Sequence, residues 1–460
     1  MKTKSLIFFV LCMALCLIPS VGMLFCPTTV TTENRPMAEA PRLMTEDGAL
    51  NPAFVSEFES YFTEHMALRN QMVYADARVQ TAVFGESNVS GVISGTDGWL
   101  YYSSTLDDYL GRNLMSDRQL FNLAHNFSLV QDYAQSRDMD FLLTIAPNKN
   151  TLYGEHMPYY QDYAVSTQHN AVALAPYLAQ QDVSYLDLFR LFGEQEEVLY
   201  LKQDSHWNNK GACLAYNGIM DALELPHEDY SQITPTPVEN DYGDLNRMLY
   251  SFYGAPETNF DYGPTKNYVY RNDVEGVEDG WIITESEAGQ GKLLMFRDSF
   301  ANTLIPFLSG EFALSYYAKG QPNALERYVE AYEPDCIVIQ KVERNIAEYL
   351  SDPPILTAPR VQLPAAVTIV SSDSAVRMES CMNDANYYRI SGHVDPSRLE
   401  PDSEILVWVD GVTYRAYHTG ENGFTLYLKK GTLTGDSARV EVYLTASDGC
   451  LQVLSAEMPL

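Results

Sequence analysis

The sequence predicts an α/β protein, a mainly parallel sheet flanked by helices, followed in the chain by an all-β sandwich. Three observations predict this. Short apolar runs alternate with helix-periodic segments from about residue 90 to residue 345, as in a parallel sheet covered on both faces. Four prolines, Pro353, Pro354, Pro359 and Pro364, then punctuate the chain. Beyond them stand short segments of alternating hydrophobicity without a convincing helix, spaced as in a β-sandwich of roughly 95 residues.

Lys2 and Lys4 precede an uncharged apolar run from Ser5 to Phe25. At about 1.5 Å per residue such a helix crosses a hydrocarbon core of roughly 30 Å. The lysines favour a cytoplasmic position for residues 1–4, a signal-anchor at 5–25 and an extracytoplasmic remainder. A cleaved signal peptide and a secreted product are the alternative. Against it, the run is long and no small-x-small site follows, and Met23-Leu24-Phe25 before Cys26 is bulkier than a lipoprotein cleavage signal tolerates. Residues 26–50, rich in Thr, Pro and Glu, read as a linker to a folded domain at 51–350.

Within 51–350, Phe54, Phe58, Tyr61 and Phe62 recur at helical spacing. Gly91–Tyr102 predicts a hairpin turning at Asp97-Gly98. Ser116–Arg137 predicts a helix with Ser116 as its N-cap. The run Asp140–Ala146 reads as a buried strand. Helix 166–180, strands 183–187 and 198–201 and helix 210–223 continue the alternation. Strand Lys292–Phe296, helix 300–309 and strand Cys336–Gln340 complete it. Residues 351–364 read as a second linker, and 365–460 as the sandwich. Its expected strands are Val367–Val370, Ala375–Glu379, Tyr387–Ile390, Ile405–Val409, Thr413–Ala416, Phe424–Leu428, Val440–Leu444 and Cys450–Leu454. Asp410-Gly411 is a hairpin signal between two of them.

Composition narrows the function classes. Hydrophobic residues at 46% and charged residues at 20% are those of a globular protein rather than a disordered one. With 61 acidic against 30 basic side chains, the formal net charge is −31. Such a surface repels phosphate backbones, which argues against nucleic acid as a partner. Of seven cysteines, Cys213 and Cys336 read as small buried hydrophobes. Cys381 and Cys450 could pair in an oxidising compartment.

Two segments depart from core-building texture. Met295-Phe-Arg-Asp-Ser-Phe300 places Ser299 where an apolar strand ends and a helix begins, the position of nucleophiles in α/β enzymes. The helix N-terminus offers N–H groups to an oxyanion, although Ser299 or Asp298 could simply cap the helix. Lys202-Gln-Asp-Ser-His-Trp-Asn208 supplies Asp204 and His206. An imidazole can take the serine proton, and a carboxylate on its other nitrogen fixes the tautomer. A metal site on Asp204 and His206 is the competing reading, but no further ligands stand at a recognisable spacing.

These motifs together resemble the SGNH-like acetyltransferases of the alginate AlgX/AlgJ type and their "DHHW" relatives in Gram-positive bacteria. The resemblance spans roughly residues 50–345. It rests on Phe62–Arg69, Gly95–Tyr102, Ala146–Tyr153, Asp204-Ser-His-Trp207, Gly243–Leu249, Arg297-Asp-Ser-Phe300 and Pro334–Ile339, in this order. It implies an SGNH-hydrolase-like sheet, a triad of Asp204, His206 and Ser299, and acetyl transfer to a polysaccharide or oligosaccharide through an acetyl-serine. An esterase using the same triad, or a non-catalytic glycan-binding or scaffold protein, are the alternatives. The resemblance further implies a multi-spanning membrane acyltransferase as acetyl supplier, and neither an organic cofactor nor a metal. Two positions depart from the pattern: Ser205 stands for a second histidine, and Arg297 for a glycine beside the nucleophile. Asn148, Lys149, Trp207 and Arg297 are further candidates for the substrate or oxyanion pocket. Trp207 is expected at its rim and Lys149 either in the pocket or in a solvated loop. The sandwich would bind carbohydrate or act as a spacer.

Overall fold

A computed structural model describes residues 2–29, 37–45, 47–250, 254–263, 265, 267–446 and 449–459. Helix α1, Lys2–Gly22, comes first. Its stretch Lys4–Gly22 has mean hydropathy 2.4, and among the described residues this is the one helix long and apolar enough to cross a membrane. The expected first linker falls partly outside the described residues, at 30–36 and 46. Helix α2, Phe54–His65, follows and carries the predicted aromatic stripe. The predicted hairpin forms from Val92–Ser94 and Leu100–Tyr102. Asp97 and Gly98 both take positive φ, 53° and 81°, as its tight turn requires.

The central sheet has seven strands: β1 Asp140–Ala146, β2 Tyr185–Leu186, β3 Val269–Tyr270, β4 Trp281–Glu285, β5 Lys292–Arg297, β6 Leu314–Lys319 and β7 Cys336–Val342. Their spatial order is β2-β1-β7-β5-β6-β4-β3. The pairs from β2 to β6 are parallel, whereas β4 and β3 add antiparallel. The two-residue period of the strands divides their side chains between two cores. Phe141, Leu143 and Ile145 of β1 and Ile337 and Ile339 of β7 face one cluster with Leu123, Phe127 and Val130. Leu142, Ala146, Val338 and Val342 face the other, with Ala212, Tyr216 and Ile219. The first is covered by α3, Asp117–Gln135, and α4, Asn170–Gln180. The second is covered by α5, Asn209–Ala222. Helix α3 starts with a full capping box between Ser116 and Gln119.

Several local expectations are corrected. Residues 198–201 form no sheet strand; Tyr200 makes a single bridge to Trp207, because this segment pairs with the loop it leads into. The expected helix 300–309 is a 3₁₀ segment, Ser299–Thr303, followed by one α turn, Ile305–Leu308, with Pro306 at its start. Strands β3, β4 and β6, the helix Leu325–Tyr332 and the antiparallel pair of Thr236–Asp241 with Glu257–Asp261 were not foreseen.

The C-terminal residues fold as the predicted sandwich, a six-stranded and a four-stranded sheet closed over Ile390, Val407, Leu426, Val440 and Val442. It does not hang on a free tether. Ile355 and Leu356, from the stretch expected as a linker, are buried together with Tyr387, Tyr417 and Tyr427 in the core that α3 covers. Asn126 of α3 donates to the Tyr349 and His418 carbonyls at 3.1 and 2.8 Å and accepts from His418 N–H at 2.8 Å. Cys381 and Cys450 are free thiols, contrary to the pairing considered from sequence. Cys381 packs with the tyrosines facing α3, and Cys450 packs with Leu406 and Tyr443. The sandwich core lies between those faces, and a disulfide needs Cβ atoms about 3.5–4.5 Å apart.

Candidate active site

Strand β5 ends at Arg297, and the next two residues divide the work at the turn. Asp298 is the cap: its carboxylate accepts from Phe300 N–H at 2.9 Å and from Val342 N–H, at the end of β7, at 2.6 Å. The Ser299 hydroxyl is therefore not spent on capping. Its Oγ lies 2.8 Å from His206 Nε2, and His206 Nδ1 lies 2.6 Å from Asp204 Oδ1. A carboxylate opposite Nδ1 assigns the ring proton to that nitrogen and leaves Nε2 to accept from the serine.

Charge distribution follows from this geometry. Burial alone would raise the Asp204 carboxyl. The facing imidazole outweighs it, helped by N–H donors from Asp244 and His206 at 2.7 and 2.9 Å, and holds the group well below the usual carboxylate range. Burial pulls His206 toward its neutral form, but Asp204 outweighs that and raises the imidazole above its ordinary value.

The loop bearing Asp204 and His206 is held from several directions. Lys149, at the carboxyl end of β1, is buried and donates from Nζ to the carbonyls of Leu201, Lys202 and Asp204 at 3.1, 2.9 and 2.5 Å. Burial pushes its ammonium down to about 8, against neighbouring carboxylates that pull the other way. Glu257 accepts from the N–H groups of Lys202 and Gln203 at 2.8 and 2.9 Å. Leu100 N–H, from the first hairpin, donates to the Lys202 carbonyl at 2.9 Å. Asn208 caps α5 immediately after the loop, accepting from Lys210 and Gly211.

The remaining sequence candidates fall elsewhere. Lys149 is neither a solvated lysine nor an open pocket group; it is the strut of the loop. Trp207 is not at a rim. Its ring is buried against Phe300 and Phe192, and its single N–H donates to Thr303 Oγ1 at 2.6 Å. A large apolar ring with one donor is best satisfied inside, next to one acceptor. Arg297 is buried, with its guanidinium donating to the carbonyls of Val277 and Asp279 at 2.8 and 2.9 Å and to Asn302 at 2.5 Å. It ties down the 277–279 loop. Asn148 is buried, donating from its side chain to Asp108 at 2.9 Å and from its backbone to Glu343 at 2.8 Å. The structure thus brings Asp204, His206 and Ser299 together, with Lys149 beneath them, and engages Asn148, Trp207 and Arg297 in framework contacts.

Sequence reasoning missed Asp244, in the quoted Gly243–Leu249 segment, although a carboxylate straight after a glycine was the available signal. It opens the helix Asp244–Tyr250. Its Oδ1 accepts from Ser205 N–H at 2.7 Å, and its Oδ2 accepts from Ser205 Oγ at 2.5 Å and lies 3.8 Å from His206 Nδ1. Asp204, His206 and Asp244 present potential ligand atoms within 4.8 Å of one another. Each of those carboxylate oxygens also accepts a hydrogen bond, those of Asp204 from the N–H groups of His206 and Asp244 and those of Asp244 from the N–H and hydroxyl of Ser205.

A mainly parallel sheet with a serine, histidine and aspartate at its carboxyl edge is the arrangement of an α/β enzyme, and a family match narrows it to the SGNH-hydrolase-like fold. Residues 92–284 match the family model described as SGNH hydrolase-like domain, acetyltransferase AlgX, and the resemblance read from the sequence is borne out there. Asp204 and His206 lie inside that span and Ser299 beyond its end. No curated protein matches the chain. Among solved structures, it is similar to Bacillus cereus PatB1, with 16% identity over 55% of this chain and 96% of that one and a TM-score of 0.44. It is also similar to a DHHW family protein from Eubacterium siraeum, with 17% identity, coverage of 55% and 91%, and a TM-score of 0.41. For Pseudomonas aeruginosa AlgX the identity is 12%, the coverage 74% and 87%, and the TM-score 0.37.

Proposed function

We propose that the chain is an extracytoplasmic O-acetyltransferase, held at the membrane by α1, that moves acetyl groups onto a cell-surface polysaccharide through an acetyl-serine. The observation that carries this is the relay from Asp204 through His206 to Ser299, at 2.6 and 2.8 Å. The description of the matching family as an acetyltransferase supports acetyl as the group moved.

Ser299 Oγ attacks the acetyl carbonyl carbon while His206 Nε2 takes the hydroxyl proton. That proton passes to the departing group of the donor, leaving acetyl on Oγ. In the second half, an acceptor hydroxyl attacks the same carbon and gives its proton to Nε2. The sugar ester forms, the bond to Oγ breaks, and His206 returns the proton to Ser299. Asp204 stabilises the imidazolium in both halves. The Ser299 N–H opens the 3₁₀ turn, where first-turn donors lack intrahelical partners and can face the oxyanion. The acetyl donor is supplied, in this reading, by a multi-spanning membrane acyltransferase.

The test uses full-length protein in detergent, an activated acetyl ester, and candidate oligosaccharides, with mass spectrometry of protein and sugar. Acetyl should appear on the Ser299 peptide, disappear in Ser299→Ala, and move to the right glycan. Acetyl delivered to water alone with every glycan overturns the transferase in favour of an esterase. Identical chemistry in wild type and Ser299→Ala overturns the triad.

A further inference from the structure

We infer that Asp244 is a positioning residue for the triad, forming with Ser205 a clamp that orients Asp204 and sets a second carboxylate behind the His206 ring. The inference rests on the reading of Asp204, His206 and Ser299 as the reacting groups, and it gives a task to a motif that this mechanism otherwise leaves idle.

The Asp204 carboxylate that faces the imidazole is fixed at both oxygens, Oδ1 by the His206 N–H at 2.9 Å and Oδ2 by the Asp244 N–H at 2.7 Å. The Asp244 side chain then grips the residue between Asp204 and His206, through both its N–H and its hydroxyl. Ser205 thereby has a function of its own at the position where the family pattern has histidine. Capping alone would account for the 2.7 Å bond from Leu245 N–H to Asp244 Oδ1, but not for the contacts that cross to the other loop. Gly243 reinforces the point. A Cβ there would meet the Gln203 carbonyl oxygen at 2.2 Å and the Asp204 nitrogen at 2.9 Å. The two backbones lie flush, and any side chain would force them apart.

The second carboxylate also acts electrostatically. The charged groups that face His206 are Asp204, Asp244 and, on the serine side, Asp298, each favouring the imidazolium. Those acting on Asp244 are Asp204, a like charge, and His206; Lys149 lies under the same loop. Burial and Asp204 raise the Asp244 carboxyl, the reverse of its partner. Removing the Asp244 charge therefore makes the imidazole easier to deprotonate.

The experiment measures the pH dependence of acetyl-ester turnover for full-length wild type, Asp244→Asn, Ser205→Ala and Ser299→Ala. Asp244→Asn should lower kcat on the order of 10–100-fold, the cost of removing a partner that orients a metal-ligating histidine, with KM little changed. Its acid limb should move to lower pH. Ser205→Ala keeps the charge but loses the hydroxyl link, so kcat should fall less and the limb should stay in place. A merely structural role predicts lost activity with an unmoved limb. An unmoved limb in Asp244→Asn, or kcat within about twofold of wild type, overturns the inference while an inactive Ser299→Ala leaves the triad standing. If Asp244→Asn does not fold, wild-type kcat in Ser205→Ala overturns the clamp. Activity retained in Ser299→Ala removes the triad reading, and the positioning role with it.

Discussion

Replacing Lys149 by methionine isolates what holds the loop of Asp204 and His206, because methionine keeps most of the stem and loses the ammonium. Three carbonyls, of Leu201, Lys202 and Asp204, lose their shared donor. Bonds to a charged group contribute about 1.5–3 kcal/mol each, but three on one ammonium are not additive. Deleting the ion also relieves the burial that brings it down to about 8. The net loss of stability should be about 2–4 kcal/mol, read as a lowered denaturation midpoint with unchanged slope. Turnover should suffer more. A reacting group displaced by about 1 Å can cost on the order of 100-fold, and this loop carries both Asp204 and His206. In wild type, a deprotonated Lys149 has two N–H bonds for three carbonyls, so kcat should decline as pH rises past about 8, and this limb should vanish in Lys149→Met. Stopped-flow turnover of an activated acetyl ester alongside urea unfolding measures both. A variant with wild-type kcat and midpoint would refute the strut and return Lys149 to a surface role.

Other expectations follow from the same contacts. The raised His206 imidazole must be neutral to accept the Ser299 proton, so kcat/KM should climb with pH along a limb above the ordinary value of 6.5. The same interaction stabilises the fold below that value, and its contribution should fade as pH rises through the folded-state pKa. Trp207→Phe should remove the bond to Thr303 and about 1 kcal/mol of stability while leaving KM for any glycan unchanged; a raised KM would put the ring at the rim after all. Asn126→Leu breaks the buried contacts to Tyr349 and His418. It should cost about 2–3 kcal/mol and expose residues 351–364 to limited proteolysis; an unchanged digest would show that the sandwich is held by other contacts.

Local chemistry made much of this chain legible from its sequence. Alternating apolar runs specify the parallel strands because a strand covered on both faces needs apolar side chains on each. Asp97-Gly98 specifies a turn because its φ angles suit few residue pairs, and Ser116 specifies a helix start because its side chain can accept from an N–H of the first turn. Asp204 and His206, two residues apart, and Ser299 at a strand end were readable for the same reason, since each is a local pattern. Contacts between distant segments were not readable. Residues 351–364 look like a spacer until Ile355 and Leu356 find the core beside α3. Trp207, Arg297 and Asn148 are polar-tipped side chains whose partners lie on other elements, so sequence could name them but not aim them. Asp244 reaches Ser205 only when its helix is brought against the loop of Asp204 and His206, and Lys149 finds its three carbonyls only when β1 lies beside that loop. Hydrogen-bond partners far apart in sequence are chosen by packing, and that is what the tertiary structure decided.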